Sequence, residues 1–120
     1  MSLYEPSLKT KGNVEFVKAY EDRYKSTPGY YSAFSFAGAT VMEQAVTKAG
    51  SLDQEKLRKV LTRFETDTVM GHHKVDPETG KQTGVKGLIV QVRDGKREIV
   101  APTDLKTIDP VIPMPAWSSR

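Results

Sequence analysis

A chain of 120 residues with 38% hydrophobic and 28% charged side chains has room for one domain with a modest core, and that mixture excludes a fibrous or wholly disordered protein. Its 18 basic and 15 acidic residues, net +3, are interleaved rather than gathered in a block, which argues for a solvated surface and against a nucleic-acid groove. The absence of cysteine removes disulfides, thiolate catalysis and cysteine-ligated metal sites.

The opening Met1-Ser2-Leu3-Tyr4-Glu5-Pro6 has no basic flank, apolar run or small-residue cleavage site, so it does not read as a signal peptide. Residues 1–12 are expected to be a flexible N-terminal segment or a cloning remnant. No stretch approaches the ~18 consecutive apolar residues of a membrane-spanning helix. Asn13 is placed to cap a first helix in which Val14, Val17, Tyr20 and Tyr24 recur at helical spacing, with Thr27-Pro28-Gly29 ending it. A second helix is expected over residues 30–49, closed by Gly50. Its Ala33, Phe34, Phe36, Ala37, Val41, Met42, Ala45 and Val46 leave few polar positions, so it should be buried around most of its circumference.

Asp53 suits the cap of a third helix, with Leu52 and Leu57 as its hydrophobic staple and Leu57, Val60, Leu61 and Phe64 as its apolar stripe. Beyond Phe64 the period changes to short strands, expected at Val69-Met70 and at Val75. A turn at Asp76-Pro77-Glu78-Thr79-Gly80 leads to the alternating Leu88, Val90 and Val92, and Asp94-Gly95 reads as a tight hairpin turn into Ile99-Val100-Ala101. The tail from 102 to 120 carries prolines at 102, 110, 113 and 115 and should be extended and irregular. Two amphipathic helices and one hairpin are thin cover for the apolar second helix. The chain is therefore expected either to be part of a larger fold or to pair with copies of itself.

Few residues suggest chemistry. His72-His73 are adjacent, and neighbours on a strand point to opposite faces, so both rings cannot readily reach one ion. No G-x-S-x-G turn is present. Gly71, Gly80, Gly84 and Gly87 precede no helix and match no phosphate-loop spacing, and Lys9-Thr10-Lys11 and Lys96-Arg97 are too short or too mixed in charge for a nucleic-acid surface. No cofactor is expected. Tyr30 and Tyr31 stand out because they follow Pro28-Gly29 at the start of the apolar helix. There an aromatic ring can wall a pocket, its hydroxyl can bond a polar ligand, and first-turn N–H groups attract a carboxylate. The other reading makes both core aromatics with their hydroxyls satisfied elsewhere, since aromatic positions in a helix are more often packing positions.

Read in order, Val14 to Tyr24, Pro28-Gly29-Tyr30-Tyr31-Ser32-Ala33, Ala49-Gly50-Ser51 and Leu57-Arg58-Lys59-Val60-Leu61 resemble the last third of a leucine/isoleucine/valine-type solute-binding protein. Thr68-Val69-Met70-Gly71, Val75 to Gly80, the Gln91 strand with Asp94-Gly95, and Pro113-Met114-Pro115-Ala116-Trp117 continue the likeness. No single motif is diagnostic, and the specificity lies in their order. The resemblance implies an α/β fold: part of a two-lobed type I periplasmic binding protein, with three helices, a β-hairpin and an extended proline-rich tail. It implies residues 13–83 in the amino-terminal lobe, a linker near 80–87, closing strands of the second lobe at 84–101, and a tail at 102–120. It further implies a non-enzymatic, periplasmic, solute-binding component of an ABC importer for branched-chain amino acids or related small carboxylates, whose partners are the solute and a membrane permease and whose export signal lies upstream. Tyr31, with Tyr30 beside it, matches the family's aromatic cleft position. Two alternatives stay open: a ligand-sensing receptor domain of the same fold, and a small domain that binds no solute and self-associates through its apolar second helix.

Overall fold

The computed structural model describes residues 1–117. Seven elements follow in chain order: α1 (Asn13–Tyr24), α2 (Tyr30–Ala49), α3 (Gln54–Leu61), β1 (Glu65–Thr68), β2 (Gly71–Lys74), β3 (Ile89–Arg93) and β4 (Lys96–Ala101). The strands form two separate two-stranded antiparallel sheets, β1–β2 and β3–β4. Residues 118–120 of the expected tail lie outside the described residues.

Helix α1 starts one residue earlier in the capping scheme than the sequence suggests. Its cap is Gly12, at φ 76° and without a side-chain hydrogen bond, and Asn13 is the first helical residue, fully buried. The Asn13 amide accepts from the Tyr4 hydroxyl at 2.9 Å and donates to the carbonyls of Pro6 and Leu8 at 3.1 and 2.9 Å. Its polar atoms are thus spent on organising the preceding segment, as burial requires. The helix buries Phe16 rather than Val14, which is 60% exposed. It ends at Lys25, in the left-handed region at φ 53° with its N–H on the Glu21 carbonyl, before the proline–glycine pair is reached.

Helix α2 has the expected ends, with Gly50 at φ 57° donating to the Val46 carbonyl. Its expected burial is not met. Only the Ala33, Ala37, Val41 and Ala45 stripe is buried, while Phe34, Phe36 and Met42 stand 57%, 48% and 47% exposed. Small residues at every fourth position let α2 lie close against its neighbours along one stripe, and the bulky apolar residues on either side keep about half their surface exposed, Phe36 meeting only Phe16 and Phe34 only Tyr30 among the ring contacts of the described residues. In α3 the Asp53 carboxylate accepts from the Lys56 N–H at 3.0 Å, the expected cap. Leu52 is 78% exposed, so the staple adds little.

The expected strand at Val69-Met70 is instead a turn. Thr68 pairs with Gly71, so the two apolar residues form the hairpin tip, and both are buried because the tip points into the core. The strands themselves, Glu-Thr-Asp-Thr and Gly-His-His-Lys, carry no apolar side chain, which is why alternation does not reveal them. Val75 forms an isolated bridge with Gln82, and between them Asp76 accepts from the N–H groups of Glu78 and Thr79. The β3–β4 turn has Asp94 at φ 50° and Gly95 at φ 73°, the two positive values a two-residue hairpin of this hand needs. Gln91 clasps the tail through paired 3.1 Å bonds to Val111.

The residues at the start of the chain, expected to be loose, carry buried side chains. Tyr4 and Leu8 are each 3% exposed, and they join Phe16, Ala33, Ala37, Val69, Met70, Leu88 and Ile99 in one core. The molecule is nonetheless spread out, 60 × 36 × 18 Å with a radius of gyration of 17.4 Å, against about 14 Å for a compact domain of this length. A layer 18 Å thin is little more than one helix and its side chains, so most side chains reach a surface.

Candidate functional site

The site begins where the chain turns into α2. Pro28 is fully buried and fixes the approach. Gly29, extended, stands at the cap position of α2 without a side-chain cap, and no acidic residue lies in the first turn. Tyr30 and Tyr31 occupy that turn and take different roles. Tyr30 is half-buried against the core, whereas Tyr31 is 83% exposed. Their rings meet edge to face at 5.4 Å, and Tyr30 stacks on Phe34 at 5.8 Å. Tyr30 is therefore the anchored ring, and Tyr31 projects from it with a free face, an arrangement the sequence left open.

A concavity lies apart from this pair, between α1, α2 and β1, with a volume of about 1130 Å³. Its floor is a ladder of rings: Phe16 and Phe36 at 4.8 Å, Phe16 and Tyr20 at 6.0 Å, Tyr20 and Tyr24 at 4.6 Å. The Ser32 hydroxyl donates to the Tyr20 hydroxyl at 3.1 Å across the gap, and Lys11, Glu15, Arg23 and Asp67 form a mixed rim. Neither Tyr30 nor Tyr31 lines it. Sequence reasoning took Tyr20 and Tyr24 as packing positions and passed over Phe16; the i, i+4 spacing of the three rings was the available signal.

The titratable groups cluster elsewhere, on the β1–β2 hairpin. The His72 ring bonds Asp67 through Nδ1 at 2.9 Å and lies 3.5 Å from Glu65 through Nε2, and Lys74 meets Glu65 at 2.7 Å. The Asp67 bond, then that of Glu65, holds the His72 imidazole above its usual pKa, while the Lys74 bond keeps the Glu65 carboxyl below its own. His73 points the other way to Gln82 at 2.8 Å, and burial lowers its pKa. The two rings thus face different partners, as adjacent strand residues must. Among the described residues no three His, Cys, Asp or Glu side chains gather as metal ligands, and no helix is long and apolar enough to cross a membrane.

Three helices, a small hairpin and a separate two-stranded sheet sharing one core, with bulky apolar residues of α2 half exposed, fit part of a larger α/β layer. The sequence profile of the periplasmic binding protein family matches residues 1–97. The chain belongs to that family. The match begins at the first residue, in keeping with the buried Tyr4 and Leu8. Two curated relatives, each named Leu/Ile/Val-binding protein homolog 7, from Brucella abortus strain 2308 and from Brucella abortus biovar 1 strain 9-941, are 29% identical over 97 residues. The alignment covers 78% of this chain and 24% of theirs, so the chain spans about a quarter of the length of the periplasmic binding proteins it matches. A crystal structure of an ABC-transporter solute-binding protein from Rhodopseudomonas palustris BisB5, in complex with 3,4-dihydroxybenzoic acid, superposes with a TM-score of 0.66. It covers 79% of this chain and 27% of that one at 24% identity, a likeness that speaks to fold. The α/β architecture expected from the resemblance, part of the type I periplasmic binding protein fold, is the one observed.

Proposed function

We propose that this chain supplies one wall of a solute cleft in the periplasmic component of an ABC importer, with Tyr31 touching the solute and Tyr30 holding Tyr31 in place. The observation that carries the proposal is the pairing of an 83% exposed Tyr31 with a core-anchored Tyr30 at 5.4 Å. A lone exposed tyrosine is unremarkable on a surface. One braced by a second ring, at the uncapped start of a 20-residue helix, presents a face, a hydroxyl and nearby N–H donors together.

In this reading residues 13–83 belong to the amino-terminal lobe, 84–101 to the second lobe, and 102–120 to an extended tail. The lobes close on the solute without bond chemistry and deliver it to a membrane permease, in the periplasm. The solute is a branched-chain amino acid or a related small carboxylate. The two relatives named for Leu/Ile/Val binding support the first, and the dihydroxybenzoate in the structural neighbour supports the wider class, since a carboxylate is common to both. A tyrosine hydroxyl that becomes buried when the lobes close on the solute discriminates against solutes that leave it unpaired. Calorimetric titration of the full-length protein with a panel of amino acids and small carboxylates, repeated on Tyr31→Ala, tests the proposal: loss of affinity in the variant is expected, and equal affinity would overturn it.

The exposed Phe34, Phe36 and Met42 on α2 favour a second reading, in which the 120-residue chain associates with itself through that helix. Light scattering decides it, and a monomer at high concentration would sink it.

A further inference from the structure

Two features have no part in the solute contact at Tyr31: the aromatic groove between α1, α2 and β1, and the proline-rich tail. Phe16, Tyr20 and Tyr24 recur every four residues along α1, so their rings stand in file over about 12 Å of helix, with Phe36 of α2 against the first of them. The groove is not wholly apolar. The Ser32 hydroxyl donates to the Tyr20 hydroxyl, which keeps its own proton for a further acceptor, and Tyr24, the last ring of the file, is 56% exposed. Past Val111, which Gln91 of β3 clasps through paired 3.1 Å bonds, the tail reads Ile112-Pro113-Met114-Pro115-Ala116-Trp117. Its Ile112, Met114 and Trp117 are 83%, 65% and 83% exposed. No residue of this stretch is charged, and its prolines have no N–H to leave unpaired in a dry contact.

We propose that the aromatic groove receives the Ile112–Trp117 segment of a second copy of this chain, each copy lending its tail to the other. Proline-rich extended segments dock in aromatic-lined grooves because the prolines restrict the chain before it binds, so little conformational freedom is lost on docking. The lengths match. Four extended steps of about 3.1 Å, from Ile112 to Ala116, cover the distance over which three rings follow one another along a helix. The Tyr20 and Tyr24 hydroxyls supply donors for the tail carbonyls, and an uncharged segment passes the mixed rim of Lys11, Glu15, Arg23 and Asp67 without setting like charges together. The occupant is a second copy rather than the same one. Among the described residues the groove takes none from β3, β4 or the tail, the Gln91 clasp holds Val111 to β3, and six residues reach at most about 21 Å in a molecule 60 Å long. Reciprocal exchange closes a two-fold dimer with two such contacts. The inference stands whether or not Tyr31 touches a solute, and unlike association through the Phe34 and Met42 side of α2 it requires the tail.

Trp117 is the single tryptophan of the chain, so its fluorescence reports on the tail alone. Sedimentation equilibrium and emission spectra are recorded over one concentration series of the 120-residue chain. A dimer is expected, with the Trp117 emission moving to shorter wavelength in step with its formation. Tyr24→Ala in the groove should weaken dimerisation by about tenfold or more and hold the emission at long wavelength. Because that change removes a ring from α1 and can disturb the helix, Met114→Asp is measured beside it: the position is exposed, helical circular dichroism should be retained, and the same loss is expected. Met42→Gln, on a part of α2 that does not line the groove, should leave both readings unchanged. A chain that stays monomeric throughout the series, a dimer whose Trp117 emission does not move, or a dimer that Met114→Asp leaves intact would each overturn the proposal.

Discussion

The Tyr4 hydroxyl donates a 2.9 Å hydrogen bond to the Asn13 amide oxygen, joining the chain's opening segment to the first turn of α1. The same amide donates to the carbonyls of Pro6 and Leu8, so one buried side chain satisfies three buried groups. Asn13→Leu leaves all three without partners, and urea denaturation should show a loss of about 2–3 kcal/mol. Burial, against the smaller opposing effect of the Asn13 bond, pushes the Tyr4 pKa up to about 12. The folded state therefore holds a proton that the unfolded chain gives up near the ordinary tyrosine value. Stability from this group is present below the unfolded pKa and declines as pH rises through the alkaline range towards 12. Tyr4→Phe should flatten that decline, and a slope unchanged by the variant would contradict the assignment.

The two histidines should titrate apart. His72, bonded to Asp67 and Glu65, ionises above the usual imidazole value, and half-buried His73 below it. For His72 the sign is that of a raised group: its support for the hairpin is present below the unfolded pKa and fades as pH rises through the raised one. His73 acts oppositely, its contribution fading as pH falls. Ring C–H chemical shifts followed by NMR separate the two, and added salt should draw His72 back, since its partners are exposed. Coincident titrations would refute the cross-strand arrangement.

Gly84 has no room for a side chain. A Cβ there would fall within contact distance of the His72 carbonyl oxygen and close to the Lys74 N–H, because the 82–84 segment lies against β2, with the Thr83 N–H on the Lys74 carbonyl at 2.8 Å. Gly84→Ala must displace backbone and should cost about 1–3 kcal/mol. Gly38→Ala, where a Cβ meets nothing within 4 Å, is the control and should be neutral or stabilising inside α2. Equal thermal shifts would show that the loop yields freely.

The helices were legible because their signals are local. The ends of α2, the Asp53 cap and the Asp94-Gly95 turn each depend on a few neighbouring residues. What the sequence concealed was set by tertiary contact. Asn13 has the composition of a cap, and only the fold shows its amide turned inward to Tyr4. Val69-Met70 reads as a strand because it is apolar, yet it is a turn pressed into the core. The polar β1 and β2 carry no alternation to detect. At the candidate site, the position of Tyr30 and Tyr31 was readable, but the division between an anchored ring and a projecting one depends on which side of α2 the core takes.

The 120-residue chain on its own should fail to bind an amino acid or small carboxylate with the affinity of a whole binding protein. It spans about a quarter of its relatives' length, and a cleft with one partial wall leaves most of a solute in water. Calorimetry giving tight, stoichiometric binding to this chain alone would disprove that view.

The central claim is that Tyr31 faces a solute. Isothermal titration of the full-length protein carrying this segment, with its best carboxylate or amino-acid solute, measures it most directly when wild type, Tyr31→Phe and Tyr31→Ala are compared. The account predicts that Tyr31→Ala weakens binding by at least about tenfold, ~1.4 kcal/mol, with Tyr31→Phe intermediate. Unchanged affinity in Tyr31→Ala would contradict it.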